Sequence, residues 1–368
     1  MKVRYNIIGL WVLALLMIAC TSDTENVVQD SDSDMLQLIP FMRPTEEVTT
    51  RADYVPEGYE SFKDVYKIPD GTTSLSFGIF MTEAGDTPPA KMGLITYRGQ
   101  DANDVDQWRS AVEVKQKDYY VYGFLPTEAA EGGATVAPYN GDFANGAMLT
   151  IKDMPAVSKY DVCVITGVQD ASRADEEIDL HLGLFAYHGK PKGQNYVGVL
   201  IDHLFSEIDF FFKVDPEYHA LRQIKLKKLT LKSVGRDKVD ATVSLLANAA
   251  GQNPIGNITT TSPSGSSDVV LFENTTGKDI TTDATAFGEV RGFSAPATSN
   301  TLSIACEYDV YDTNGNLVRQ NCKAENNLSM KVPSLKPGEK AVVTITIRPT
   351  YLYVLSEPDL DNPTIEVN

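Results

Sequence analysis

The chain has 368 residues, 42% of them hydrophobic, and a formal net charge of −18. That apolar share supports a packed core, and the length leaves room for two domains. The acidic balance argues against nucleic acid and anionic membrane surfaces as partners, because both would be repelled.

The first twenty residues read as a signal peptide. Lys2 and Arg4 precede an apolar run that ends at Ala19, with Trp11 to Ile18 at its centre. The run is shorter than the ~20 residues a membrane span needs, and polar residues follow at once. Met17-Ile18-Ala19-Cys20 resembles a bacterial lipobox, which would make Cys20 the acylated first residue after cleavage. Residues 21–50 then form an acidic linker with one apolar island, Met35 to Met42, long enough for one short strand. Arg51-Ala52 sits in a polar, Thr-flanked segment and is a candidate site for a trypsin-like protease.

After Arg51, strand patterns dominate. Leu75, Phe77, Ile79 and Met81 alternate with Ser74, Ser76, Gly78 and Phe80. Asp101 to Ala111 reads as a short helix, and Val112 to Lys115 alternates again. Tyr119 to Leu125 is a β-rich run closed by Pro126, and Tyr160 to Ile165 is a further strand candidate. Gly189 to Gln194 is a Lys-, Pro- and Gly-rich break, which places a domain boundary between residues 192 and 193.

Val197 to Val214 is a dense apolar series, and Pro216 to Leu221 reads as one helical turn. Ile224 and Leu226 share one parity, Leu229 and Leu231 the other, so a bulge is expected at Lys227-Lys228. Val243 to Leu246 is a short strand signal. Residues 250–284 are rich in Gly, Ser, Thr and Asn and read as long surface loops. Ser303 to Tyr311 and Leu317 to Lys323 form a hairpin, and Ala341 to Ile347 is a clear strand. Many short strands with turn signals between them argue an all-β chain of two sandwiches with few short helices, at residues 52–192 and 193–349.

Export would permit a disulfide. A three-residue loop with Gly315 in the left-handed region would set Cys306 and Cys322 opposite one another. A cross-strand bond and two separate buried thiols are both compatible with that spacing. Beyond Pro349 the chain changes character. Pro358 and Pro363 separate residues 350–368 from the last core strand, leaving an extended tail in which Leu352, Val354, Leu360, Ile365 and Val367 can fill pockets.

No enzyme motif emerges. His181, His188, His203 and His219 lack the spacing of a zinc protease, and no phosphate-cradling glycine loop or nucleophile elbow occurs. Asp312-Thr313-Asn314-Gly315-Asn316 mimics a calcium loop, but its glycine is misplaced and no Glu closes it. Neither a catalytic residue, a metal site nor a cofactor is expected.

Taken in order, these features resemble the fimbrillin family, subunits of the lipoprotein-derived, type V pili of anaerobic Gram-negative bacteria. The resemblance rests on the lipobox ending at Cys20, on Thr49-Thr50-Arg51-Ala52 and on Tyr119 to Pro126. It rests also on His203-Leu204-Phe205-Ser206-Glu207-Ile208 and on Leu335-Lys336-Pro337-Gly338-Glu339. It implies two transthyretin-like β-sandwich domains and export as an outer membrane lipoprotein attached through Cys20. It implies removal of a leader (residues 21–51) by an Arg-specific protease, then polymerisation with other fimbrial subunits by strand exchange on the cell surface. Arg51 would supply the cleaved bond, the removed strand would lie within residues 35–50, and the tail after Pro349 would be the donor strand. A stalk role is favoured. The alternative is a lipid-anchored surface module or tip adhesin that recognises a glycan or host protein, suggested by the aromatic content and the polar stretch 250–284.

Overall fold

The structure is a computed structural model that describes residues 34–47, 58–69, 74–86, 91–100, 106–171, 181–248, 253–265, 268–293, 302–328, 335–350 and 359–367. The fold is an all-β sandwich fold with two helices of one turn each among the described residues.

The apolar island forms β1 (Gln37–Met42), and β2 (Glu46–Glu47) follows. Next come β3 (Glu60–Ser61), α1 (Phe62–Val65), β4 (Ser76–Thr82), β5 (Met92–Gln100), β6 (Asp106–Ser110) and β7 (Asp118–Leu125). Of the stretch Asp101 to Ala111, expected as a helix, residues 106–110 form a strand instead, and residues 101–105 lie outside the described residues. Trp108 points inward and packs at 5.5 Å on Phe62 and 5.2 Å on Phe77, contacts that outweigh the local helical reading. The chain continues through β8 (Ala134–Pro138), β9 (Gly146–Pro155), β10 (Val157–Ser158), β11 (Cys163–Ala171) and β12 (Ala186–His188).

The dense apolar series splits into β13 (Tyr196–His203) and β14 (Ser206–Val214). α2 (Pro216–His219) is capped by the Asp215 carboxylate, which accepts from the Glu217 and Tyr218 N–H groups. β15 (Gln223–Lys232) carries the expected register shift between Leu226 and Lys228. β16 (Lys238–Leu246), β17 (Ile255–Ser264), β18 (Val269–Ile280) and β19 (Thr285–Phe293) follow. The stretch read as long surface loops thus holds two long strands. Both lie at sheet edges with many exposed positions, so β-branched Thr rather than apolar alternation marks them. The chain ends with β20 (Ser303–Tyr311), β21 (Leu317–Asn327), β22 (Glu339–Thr350) and β23 (Asp359–Val367).

Four sheets result. The first runs β3-β1-β13-β11-β7-β4-β5-β6, with β12 also on β7. The second runs β10-β19-β14-β22-β2, with β23 also on β22. The other two are β18-β15-β20-β21 and β17-β16-β9-β8. Phe287 of the second sheet meets Phe272 of the third edge-on at 5.5 Å, while Tyr122 of the first meets Phe143, in the turn before β9, at 6.0 Å. A cut between residues 192 and 193 would part β13 from β11 and β16 from β9, both hydrogen-bonded pairs. The expected boundary therefore does not separate the sheets. The first sheet gives way to the second after His203, where β13 hands over to β14.

Candidate functional site

Residues 34–47, which precede Arg51 in the chain, are built into the fold. β1 lies parallel to β13, from Gln37 opposite Tyr196 to Met42 opposite Ile201. The Gln37 N–H donates to the Asn195 carbonyl at 2.8 Å and the Arg43 N–H to the Ile201 carbonyl at 3.1 Å. These odd-numbered residues direct their N–H groups at β13. Pro40 therefore sits where that ladder needs no donor, and a proline does not break it. On the other side, the Leu36 N–H donates to the Val112 carbonyl and the Val114 N–H to the Asp34 carbonyl, at 2.8 and 2.9 Å. Leu36, Leu38 and Met42 point into the core and are buried.

A polar clasp fastens the end of this strand. The Arg43 Nε donates to the Asp202 Oδ1 at 2.5 Å, and its Nη2 donates to the Tyr59 hydroxyl at 2.8 Å. Asp202 also accepts from the Tyr59 hydroxyl at 2.5 Å and from the Thr166 hydroxyl at 2.6 Å. The guanidinium lies 4.7 Å from the centre of the Tyr59 ring. Burial and the Asp202 charge hold the Tyr59 hydroxyl well above the usual phenol range. Behind Arg43 lies His203, buried at the end of β13. Its Nε2 donates to the Arg43 carbonyl at 2.7 Å and its Nδ1 lies 2.8 Å from the Asp161 Oδ2.

The same N-terminal segment also reaches the second sheet. β2 pairs parallel with β22, Glu46 opposite Glu339 and Glu47 opposite Lys340. Farther along the same edge of β22, β23 pairs antiparallel, from Ile345 opposite Val367 to Thr350 opposite Asp359. The tail thus folds back on its own chain. Ile365 is buried there, and its carbonyl accepts from the Asn326 Nδ2 at 2.9 Å. β2 and β23 therefore share one edge of β22.

Cys20, Arg51, Ala52, Leu352 and Val354 lie outside the described residues. Leu360 and Val367 fall within β23. The disulfide considered between Cys306 and Cys322 is not formed: both are buried thiols. Next to the turn the register is as expected, with Tyr311 opposite Leu317. Two successive register shifts then set Val310 against Arg319 and Tyr308 against Cys322, so Cys306 faces Ala324. Asn321 sits at the bulge with φ 56°, and its N–H donates to Asp309.

Among the described residues, two clusters have the composition of cation sites. Asp161, Cys163 and His203 place donor atoms within 4.8 Å of one another. The His203 Nδ1 is already committed to Asp161, and burial pushes the Cys163 thiol well above its ordinary range. The trio is tied together by hydrogen bonds, and a thiol held protonated in this way is a weak nucleophile. Glu207, Asp209 and Glu289 also converge, but Lys340 lies 2.5 Å from Asp209 and Arg291 2.5 Å from Glu289, supplying the neutralising charge.

The clasp residues Arg43, Tyr59, Asp161, Thr166, Asp202 and His203 are not apparent from the sequence as a group. One signal was present: Arg43 is the only basic residue within 21–50, an otherwise acidic stretch.

No protein-family model matches the chain, and no curated protein matches it. Solved structures do resemble it. A candidate cell adhesion protein from Bacteroides fragilis aligns over 91% of this chain and 97% of its own, at 11% identity and a TM-score of 0.42. A fimbrial protein from Bacteroides vulgatus aligns over 80% and 91%, at 13% identity and a TM-score of 0.37. The fimbrial anchor protein of Porphyromonas gingivalis aligns over 90% and 97%, at 8% identity and a TM-score of 0.28.

Proposed function

We propose that this chain is a structural subunit of a cell-surface fimbria, exported as a lipoprotein through Cys20 and activated by cleavage after Arg51. The observation that carries the reading is the leader. Residues 34–47 lie immediately before the candidate cut, yet they pair with two different sheets and bury Leu36, Leu38 and Met42. A segment destined for removal that also completes the core makes its removal consequential. Its loss bares the β13 edge, the outer edge of β22 at Glu339 and Lys340, and the apolar pockets beneath β1. An open edge of this kind is a template for another strand.

The replacement strand in this reading is the tail of a neighbouring subunit, which would join by β-augmentation. A strand of ~6 residues adds several backbone hydrogen bonds, each contributing a net ~0.5–1.5 kcal/mol, with side-chain burial on top. A stalk position follows, since a stalk subunit must both accept and donate. The partners are other fimbrial subunits and an Arg-specific protease. No catalysis is assigned to the chain.

The test is treatment of the full chain with an Arg-specific protease. The Arg43-Pro44 bond is a poor substrate because of its proline, so the new N-terminus expected is Ala52, accompanied by SDS-resistant multimers. Cleavage that leaves a monomer with affinity for glycans would instead favour the surface module or tip adhesin.

A further inference from the structure

The ring of His203 bridges the body and the leader. It is 3% exposed, and among the described residues the acceptor at its Nε2 is the Arg43 carbonyl, which belongs to the segment that cleavage would remove. A carbonyl cannot donate, so Nε2 carries the proton. On the opposite nitrogen stands the Asp161 carboxylate, an acceptor when ionised. Filling both bonds requires both ring protons, which is the imidazolium form. We propose that His203 is a proton-operated latch on residues 34–47, closed when the ring carries both protons and loosened when it loses one.

The proposal rests on the reading of residues 21–51 as a removable leader and adds a condition for their departure. A ring with a single proton keeps it on Nδ1, against the Asp161 charge. Nε2 then turns a lone pair toward the Arg43 carbonyl, and two acceptors face each other in a buried site. The groups around the ring favour the closed form. Asp161 and Cys163 face it from the start of β11, and Asp202 adjoins it in β13. Gly338, before β22, packs against the ring edge, and a Cβ there would lie 3.5 Å from Cδ2. The Tyr66 hydroxyl, after α1, donates to the Asp161 carbonyl, and Arg291 of β19 and Glu207 of β14 act on Asp161 from farther off. Burial opposes charge on the ring, but Asp161, the Arg43 carbonyl and Asp202 together raise its pKa above the ordinary 6.5. Cys163 stays a thiol throughout, because burial raises it too.

The sign follows from the bond that the leader supplies. The Arg43 carbonyl is one of the groups that favour the charged ring, and it leaves with residues 34–47. The latch is therefore at full strength below the ordinary value of 6.5 and is lost as pH rises through the raised one. Acid conditions hold the precursor shut, and neutral to alkaline conditions release it.

Hydrogen exchange on the uncut full chain reads this directly and needs no cleavage. Protection of the Gln37 and Arg43 amides, corrected for intrinsic exchange, is expected to fall about 10-fold or more between pH 5.5 and pH 9, the effect of losing one charged buried hydrogen bond. Amides of β14 serve as the reference and are expected to hold. His203→Gln keeps an N–H for the carbonyl without titrating, so its protection is expected to be flat with pH. Asp161→Asn keeps the fold's hydrogen bonding but removes the charge, and shifts the wild-type fall to lower pH. Protection in the wild type that is independent of pH, or a fall that His203→Gln retains, overturns the latch. Failure of an Arg-specific protease to generate Ala52 would instead overturn the leader reading and leave these exchange curves interpretable.

Discussion

Arg43 and Asp202 are 159 residues apart in the chain, and their side chains meet at 2.5 Å. The contact joins the segment before the candidate cut to the strand that segment covers. Arg43 is 16% exposed at its side chain and Asp202 9%, so solvent screens the pair little. Asp202 would keep Tyr59 and Thr166 if Arg43 were lost, but would lose the cation that is hydrogen-bonded to it. Arg43→Ala is therefore expected to destabilise the precursor by about 2–4 kcal/mol, visible as a lower urea midpoint with an unchanged slope. In protein that begins at Ala52 the substitution is absent and the midpoint must match wild type.

Met42 tests the apolar half of the same attachment. It is 0% exposed and points beneath β1. Met42→Ala removes buried volume that neighbouring strands cannot close over, so a loss of about 2–4 kcal/mol is expected in the precursor. Limited proteolysis should then cut the leader faster than in wild type. An unchanged cutting rate would mean that residues 34–47 open by a route in which β1 packing plays no part.

Much of this arrangement was legible in the sequence, and the gaps have physical causes. The apolar island follows from its length, the Tyr119 to Leu125 strand from its β-rich composition and the bulge at Lys227-Lys228 from side-chain period, all local properties that the structure reproduces. Trp108 shows the limit: its neighbours read as helix, but its place is set by Phe62 and Phe77, distant in the chain. β17 and β18 escaped because polar edge strands and polar loops share a composition. The clasp escaped because Arg43, Asp161 and Asp202 come together only through β1–β13 and β11–β13 pairing. Cys306 and Cys322 failed to meet because two register shifts lie between them and the turn, and neither is marked by glycine.

The bulge at Asn321 yields a stability test. With φ at 56°, Asn321 occupies the left-handed region, where Asn and Gly are tolerated and β-branched residues are not. Asn321→Gly is expected to stay within about 0.5 kcal/mol of wild type, whereas Asn321→Val should cost about 1–2 kcal/mol. Burial pushes the Cys306 thiol up to about 12, so native alkylation at pH 8 should be slow with or without prior reductant. A mobility difference between reduced and untreated protein would contradict the register described.

Glu207 gives a second pH-dependent term of opposite character to a surface carboxylate. Burial raises its pKa from 4.5, Lys340 and Arg291 counter that in part, and Asp209 adds to it. The folded state thus binds this proton more readily than the unfolded state. Its contribution is most favourable at low pH and declines as pH rises from about the unfolded value through the raised folded one. Glu207→Gln should flatten that portion of the stability profile and at neutral pH leave the chain equally stable or firmer, by up to about 1–2 kcal/mol. A loss of several kcal/mol at neutral pH would show instead that the charge on Glu207 is needed to hold Arg291 and Lys340.

The tail decides whether the edge of β22 is also an assembly device. β23 pairs there in its own chain, with Ile365 3% exposed, so a donated tail must first leave its seat. Ending the chain after Thr350 removes β23 but keeps β22 and every strand that packs beneath it. Such a chain should fold, with a loss of a few kcal/mol from the lost pairing and the buried isoleucine. If subunits join by strand exchange after cleavage, as proposed, it can accept a strand but has none to give, so it should join growing fibres and stop them at that end. Mixed with the full chain in a small fraction, it is expected to shorten fibres in proportion to that fraction, as counted by electron microscopy. Truncated subunits that build fibres of ordinary length by themselves would exclude the tail as donor. Ile365→Asp weakens the seat on β22 and the donated contact together, so it should reduce fibre yield without capping growth as cleanly as the truncation.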